Sequence, residues 1–129
     1  MILDLDVGNT RLKWRAVDAL GSLLAQGAQS NSDPIELLAE QIEAPSRIRV
    51  ACVRDVQYRN QLHTLMKACW GLEAEFAQSQ PQAAGVSNAY GQPENLGVDR
   101  WLILLAARAR GQGGCCIVDA GSALTVDLL

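Results

Sequence analysis

The first eighteen residues, MILDLDVGNTRLKWRAVD, constrain the fold more than any other stretch. Beyond Gly8-Asn9 the pattern alternates strictly, with Leu12, Trp14 and Ala16 on one face and Arg11, Lys13 and Arg15 on the other. Ahead of the pair, Leu3 and Leu5 share a face opposite Asp4 and Asp6. Two period-2 runs around Gly-Asn predict an antiparallel hairpin, the pair supplying the positive φ that tight turns need. The strand also poses a chemical question. A carboxylate withdrawn from water is costly unless it is paired, hydrogen-bonded or bound to a metal, and this strand carries two. Asp6 stands at the strand end, aimed at the turn. Asp4 lies deeper, where an auxiliary site role and a solvent-facing or hydrogen-bonded position are both open.

The rest of the chain reads as strands alternating with helices. GSLLAQGAQ predicts a third strand. SDPIELLAEQI begins like a helix, with Asp33 as N-cap, Pro34 at the first position and Glu36 placed for a capping box. RIRVACV predicts a short strand, and QYRNQLHTLMKACWG a helix with Leu62, Leu65, Met66 and Cys69 at helical spacing and a stop at Gly71. LEAEFA predicts another strand, and the polar stretch from Gln78 to Gln92 a loop. ENLGVDRWLILLAARARG predicts a helix with Asp99 in its first turn and its end at Gly111. GCCIVDAGSALTVDLL predicts a strand, a tight Gly121-Ser122 turn and a further strand. The order β-β-β-α-β-α-β-loop-α-β-β indicates an α/β domain with a mixed sheet.

Composition narrows the function classes. With 129 residues, 49% of them hydrophobic, the chain is long enough for one globular domain with its own core. A net charge of −3 with dispersed lysines and arginines gives no electrostatic footprint for nucleic acid. No apolar run approaches the roughly 18 residues of a membrane span. The N-terminus lacks the basic region of a signal peptide, which predicts a cytosolic protein. Cys52, Cys69, Cys115 and Cys116 share the chain with a single histidine, His63, so zinc-ligand spacing is absent. The thiols are expected to be buried and reduced. His63 is expected to be a surface or partly buried side chain, and Trp14, Trp70 and Trp101 core or interface aromatics.

The end of the chain repeats the beginning. LDVGNTRLKW and VDAGSALTVDLL are each a strand, then Asp-x-Gly-[Asn/Ser], then a strand. The small residues of such turns expose backbone N–H groups that can cradle a phosphate. Two of these hairpins facing each other would set Asp6 and Asp119 on either side of a cleft, which suits a nucleoside triphosphate with a divalent cation.

DVGNTRLKW, GVDRW and DAGSALTVD, in this order and spacing, resemble the three N-terminal motifs of the type III pantothenate kinases. That family belongs to the superfamily of actin-like ATPases, sugar kinases and heat-shock chaperone ATPases. The resemblance implies a ribonuclease-H-like, actin-like α/β domain with a mixed sheet, hairpin strands and flanking helices. Residues 1–129 would be the N-terminal domain, and family members are about twice as long. It further implies ATP-dependent phosphorylation of pantothenate to 4′-phosphopantothenate, the first step of coenzyme A synthesis. Mg²⁺, a monovalent cation (K⁺ or NH₄⁺), a cytoplasmic location and a homodimer of the full-length protein come with it, without nucleic acid or membrane partners.

Matched residue by residue, Asp6, Val7, Gly8, Asn9, Thr10, Arg11, Leu12 and Lys13 fall on the first phosphate motif, with Asp6 acting on Mg²⁺. Gly97, Val98, Asp99 and Arg100 fall on the pantothenate motif, Asp99 as catalytic base and Arg100 as substrate ligand. Tyr90 matches the substrate-contacting tyrosine and Asp119 the monovalent-cation ligand. Ser122 stands where threonine is common in the ATP motif, and its hydroxyl can still donate to phosphate. Asp127 echoes a motif aspartate, but a satisfied structural carboxylate explains it equally well. On this reading the 129 residues alone bind phosphate weakly and do not catalyse. A noncatalytic member of the superfamily serving as a transcriptional accessory module is the alternative. A ribonuclease-H-like nuclease, which gathers strand-end aspartates around two metals, is disfavoured by the acidic balance and the lack of a basic groove.

Overall fold

The computed structural model describes residues 1–129 except Gln112 and Ser122. The chain divides into two compact units, Met1–Ala77 and Gln78–Leu129. The turn Gly121-Ser122 and the Ser122 hydroxyl therefore lie outside the described residues in part.

The first unit is built on the opening hairpin. Strands β1 (Ile2–Val7) and β2 (Arg11–Val17) pair antiparallel, Val7 opposite Leu12 at the turn end. β3 (Leu23–Ser30) extends the meander on β2, while β4 (Arg47–Cys52) runs parallel to β1 and β5 (Ala74–Phe76) parallel to β4. The mixed five-stranded sheet has the order β3-β2-β1-β4-β5. This is the mixed sheet with hairpin strands and flanking helices that the resemblance implies.

Alternation decides which face is covered. Leu3, Leu5 and Val7 of β1, Leu12 and Trp14 of β2, and Ile48, Val50 and Cys52 of β4 form one buried layer. Helices α1 (Glu36–Ala39) and α2 (Val56–Trp70) lend it Leu38, Leu62 and Met66. α2 starts where the Asp55 carboxylate accepts the Tyr58 N–H at 2.8 Å, and stops at Gly71, whose φ of 69° is the left-handed cap predicted for it. Cys69 and Trp70 pack against this core, and His63 sits half-exposed on Glu73 at 2.5 Å.

Three expectations are corrected in this unit. α1 is a single turn with Ile35 at its N-cap position and no side-chain cap. Asp33 instead turns back on β3, where its carboxylate accepts the Ser30 N–H at 2.9 Å and its own N–H donates to the Ser30 carbonyl. The turn after β1 contains no positive φ; it lies between the register partners Val7 and Leu12, closed by the Gly8 N–H on the Arg11 carbonyl, and donors from outside hold its carbonyls. Leu65 lies on the rim of the apolar stripe of α2, partly exposed.

The second unit opens with a short hairpin, β6 (Gln82–Ala83) and β7 (Val86–Ser87), inside the stretch expected to be a loop. Its turn residues Ala84 and Gly85 both have positive φ, 48° and 77°, as a primed two-residue turn requires. An alanine there conceals the hairpin from sequence reading. A 3₁₀ turn (Pro93–Asn95) leads into α3 (Val98–Arg110), and β8 (Cys116–Ala120) pairs antiparallel with β9 (Leu124–Leu128). Trp101, Leu104, Val86 and Leu96 form the core, with Ile117 and Leu129 packed on it. Since Ile117 faces that core, Cys116 must point the other way; both Cys115 and Cys116 are exposed, against the expectation of burial. All four thiols are free.

Candidate functional site

The two aspartates of β1 have different fates. Asp4 sits between Arg15 of β2 and Arg49 of β4, its register partners on either side. Arg49 grips the carboxylate through Nε at 2.6 Å and Nη2 at 2.9 Å, and Arg15 adds Nε at 2.9 Å. Burial pushes the Asp4 carboxyl up, but the hydrogen bonds and charges of Arg49 and Arg15 outweigh it and hold the group below the usual carboxylate range. Asp4 is a structural carboxylate.

Asp6, two residues on, is exposed and has no hydrogen-bond or ion-pair partner among the described residues. Its register partner Lys13 is also exposed and has no side-chain partner among the described residues. The turn end of this face thus presents a free carboxylate beside a free ammonium. Val7 and Leu12 belong to the core, so only their backbones can serve a ligand.

Donors from both flanks hold the turn itself. Asn31, just past β3, donates its Nδ2 to the Gly8 carbonyl at 2.8 Å and its backbone N–H to the Thr10 carbonyl at 3.0 Å. Arg54, between β4 and α2, donates Nη1 to the Asn9 carbonyl at 3.1 Å, and its guanidinium lies 4.6 Å over the Tyr58 ring. The N–H groups of Asn9 and Thr10 have no acceptor among the described residues. Neither Asn31 nor Arg54 was singled out by sequence. Their role depends on strands meeting across 23 and 45 residues, which no local pattern encodes.

In the second unit the predicted substrate residues do come together. Arg100 Nε and Nη2 bind the two Asp127 oxygens at 3.0 and 2.5 Å, and Nη1 lies 3.4 Å from the Tyr90 hydroxyl. These hydrogen bonds to Asp127 raise the Arg100 pKa further above its ordinary value and hold the Asp127 carboxyl below its own. Asp127 is satisfied within the fold. Arg100 meets any ligand already oriented by it. Asp99 stands in the first turn of α3, where one carboxylate oxygen accepts the Arg100 N–H at 2.9 Å. That carboxylate folds over Gly97: a Cβ on Gly97 would lie 2.8 Å from Asp99 Oδ1. Gly97 and Asp99 are therefore spatially coupled.

Asp119 is half-buried on β8 and pairs in register with Thr125, whose hydroxyl oxygen is buried without a hydrogen-bond partner among the described residues. An orphaned hydroxyl beside a carboxylate offers hard oxygen donors of the kind alkali and alkaline-earth cations take. Thr125 has no motif signal of its own. Among the described residues no three His, Cys, Asp or Glu side chains cluster as a metal cage.

A family profile described as type III pantothenate kinase matches residues 2–129. The chain belongs to the type III pantothenate kinase family. The relative from Halorhodospira halophila, named type III pantothenate kinase, is 39% identical over 136 residues, covering 98% of this chain and 54% of the relative. That from Ectopseudomonas mendocina is 40% identical over 131 residues, covering all of this chain and 53% of the relative. The Nitrosospira multiformis relative is 37% identical over all of this chain, covering 49% of its own length. The chain thus spans about half the length of the curated pantothenate kinases it matches.

Proposed function

We propose that this chain carries the phosphate-binding and pantothenate-binding elements of an ATP-dependent pantothenate kinase, and that catalysis requires the rest of the length seen in its relatives. The observation carrying the proposal is the contrast on β1: Asp4 is neutralised by two arginines, while Asp6 is left free beside a turn with unclaimed amides. Asp6, Gly8 to Lys13 and Ser122 serve the ATP phosphates. Asp6 would hold Mg²⁺ as a single carboxylate, the usual protein share when phosphates and water complete the shell. When bound, the ion neutralises phosphate charge. Asp119 would hold the monovalent cation, and the buried Thr125 hydroxyl fits that role.

Phosphoryl transfer to a primary alcohol asks for alignment, charge neutralisation and an acceptor for the hydroxyl proton. Asp99 is that acceptor. Its Oδ1 is held by the Arg100 N–H, so its second oxygen is left to take the proton. Arg100, oriented by Asp127, and Tyr90 bind the pantothenate, whose carboxylate suits a guanidinium. The full-length protein works in the cytoplasm as a homodimer.

The test is ADP release by the protein containing this chain together with the second half its relatives have. Release that depends on pantothenate supports the reading. ATP binding with no pantothenate-dependent release overturns it in favour of a noncatalytic accessory role, and turnover by the 129 residues alone overturns the requirement for the second half.

A further inference from the structure

We infer that Asn31 and Arg54 are positioning residues that aim the amides of the Gly8–Thr10 turn outward, an inference that rests on the phosphate role proposed for that turn. In a trans peptide the C=O and the following N–H point in opposite directions, and no peptide bond among the described residues is cis. The Gly8 carbonyl is held by Asn31 Nδ2, so the Asn9 N–H faces away from Asn31. The Asn9 carbonyl is held by Arg54 Nη1, so the Thr10 N–H faces away from Arg54. The Thr10 carbonyl is held by the Asn31 backbone N–H. Three successive carbonyls are thus drawn onto protein donors, and the Asn9 and Thr10 amides opposite the first two have no acceptor among the described residues.

Such a row of outward amides is a preformed anion cradle. It matters here because the turn uses no left-handed residue, so its own backbone preferences do not fix the arrangement. The two anchors are themselves fixed. The Asn31 backbone continues the β2–β3 ladder beyond Arg11 and Ser30, and the Arg54 guanidinium rests on Tyr58 next to the capped start of α2. Losing one anchor frees a peptide plane to rotate, which turns an amide donor into a carbonyl acceptor facing the anion.

The test uses the 129-residue chain with ¹⁵N relaxation and inorganic tripolyphosphate as probe. In the wild type, Asn9 and Thr10 should show order parameters of about 0.85, the rigid-backbone value. Asn31→Ala and Asn31→Leu, the second keeping the volume, should both drop them towards about 0.6 or below. Both should also weaken tripolyphosphate binding about three- to tenfold, the effect of losing one hydrogen bond, while β1 and β4 amides stay rigid. Arg54→Met should do the same, and Arg54→Lys, which keeps a donor, should recover part of the loss. Unchanged loop order in the Asn31 variants overturns the inference, as does loosened order with unaltered affinity. If the wild-type turn is rigid and the variants loosen it, yet tripolyphosphate shifts nothing between Asp6 and Lys13, the anchoring stands and the phosphate role fails.

Discussion

Replacing Asp4 by Asn should destabilise the first unit without touching phosphate binding. The carboxylate receives three hydrogen bonds from two guanidinium groups, at 2.6, 2.9 and 2.9 Å. Hydrogen bonds to charged groups contribute about 1.5–3 kcal/mol when shielded, whereas exposed ion pairs contribute about 0–1 kcal/mol. Asp4 is 18% exposed but Arg49 and Arg15 are 42% and 61% exposed, so the pair lies between these limits. We expect a loss of roughly 1–2 kcal/mol, or about 5–10 °C in Tm for a unit of this size. The pH dependence gives a second handle. The folded Asp4 pKa lies below its unfolded value of about 3.9, so the contribution is complete above that pH and is lost as pH falls through the folded pKa. Thermal unfolding by circular dichroism should show the gap between wild type and Asp4→Asn at pH 7 and its closure below about pH 4. A gap under about 1 °C at pH 7, or one that persists undiminished at pH 3, would refute the ion-pair account of this residue.

Gly27→Ala should also destabilise, although alanine normally improves a strand position by about 0.5–1 kcal/mol. The new Cβ would lie 2.8 Å from three indole atoms of Trp14, and displacing that buried ring costs about 1–3 kcal/mol; urea unfolding followed by tryptophan emission should show a lowered midpoint. Gly97→Ala should push the Asp99 carboxylate away, since the new Cβ would lie 2.8 Å from its Oδ1, lowering kcat about 10–100-fold in the proposed full-length kinase, with Tm moving by only about 2 °C. Asp127→Asn should unlock Arg100 and raise KM for pantothenate several-fold more than KM for ATP in steady-state assays.

The opening hairpin, the crossover order and the placement of Asp99 at the start of α3 were legible because period and caps are local signals. The same logic shows why other features were hidden. Asp4 needed Arg49, which lies 45 residues away, before its carboxylate could be explained. The Asp33-Pro34-Glu36 pattern matched a helix start, but Asp33 had a nearer use in closing the end of β3. Cys115 and Cys116 looked like core residues in an apolar run, yet Ile117 set the inward face. The candidate site was readable as motifs, while its supports were not. Asn31, Arg54 and Thr125 are ordinary polar residues whose significance comes from what the fold brings to them.

In the proposed kinase Asp99 accepts the substrate proton while the turn after β1 holds the nucleotide. Kinetics and ATP binding of Asp99→Asn in the protein carrying the complete family length test it most directly. The expected result is a fall in kcat of about 10²–10⁴-fold with the affinity for ATP within about twofold of wild type. Normal turnover by Asp99→Asn, or loss of ATP binding in step with activity, would contradict it.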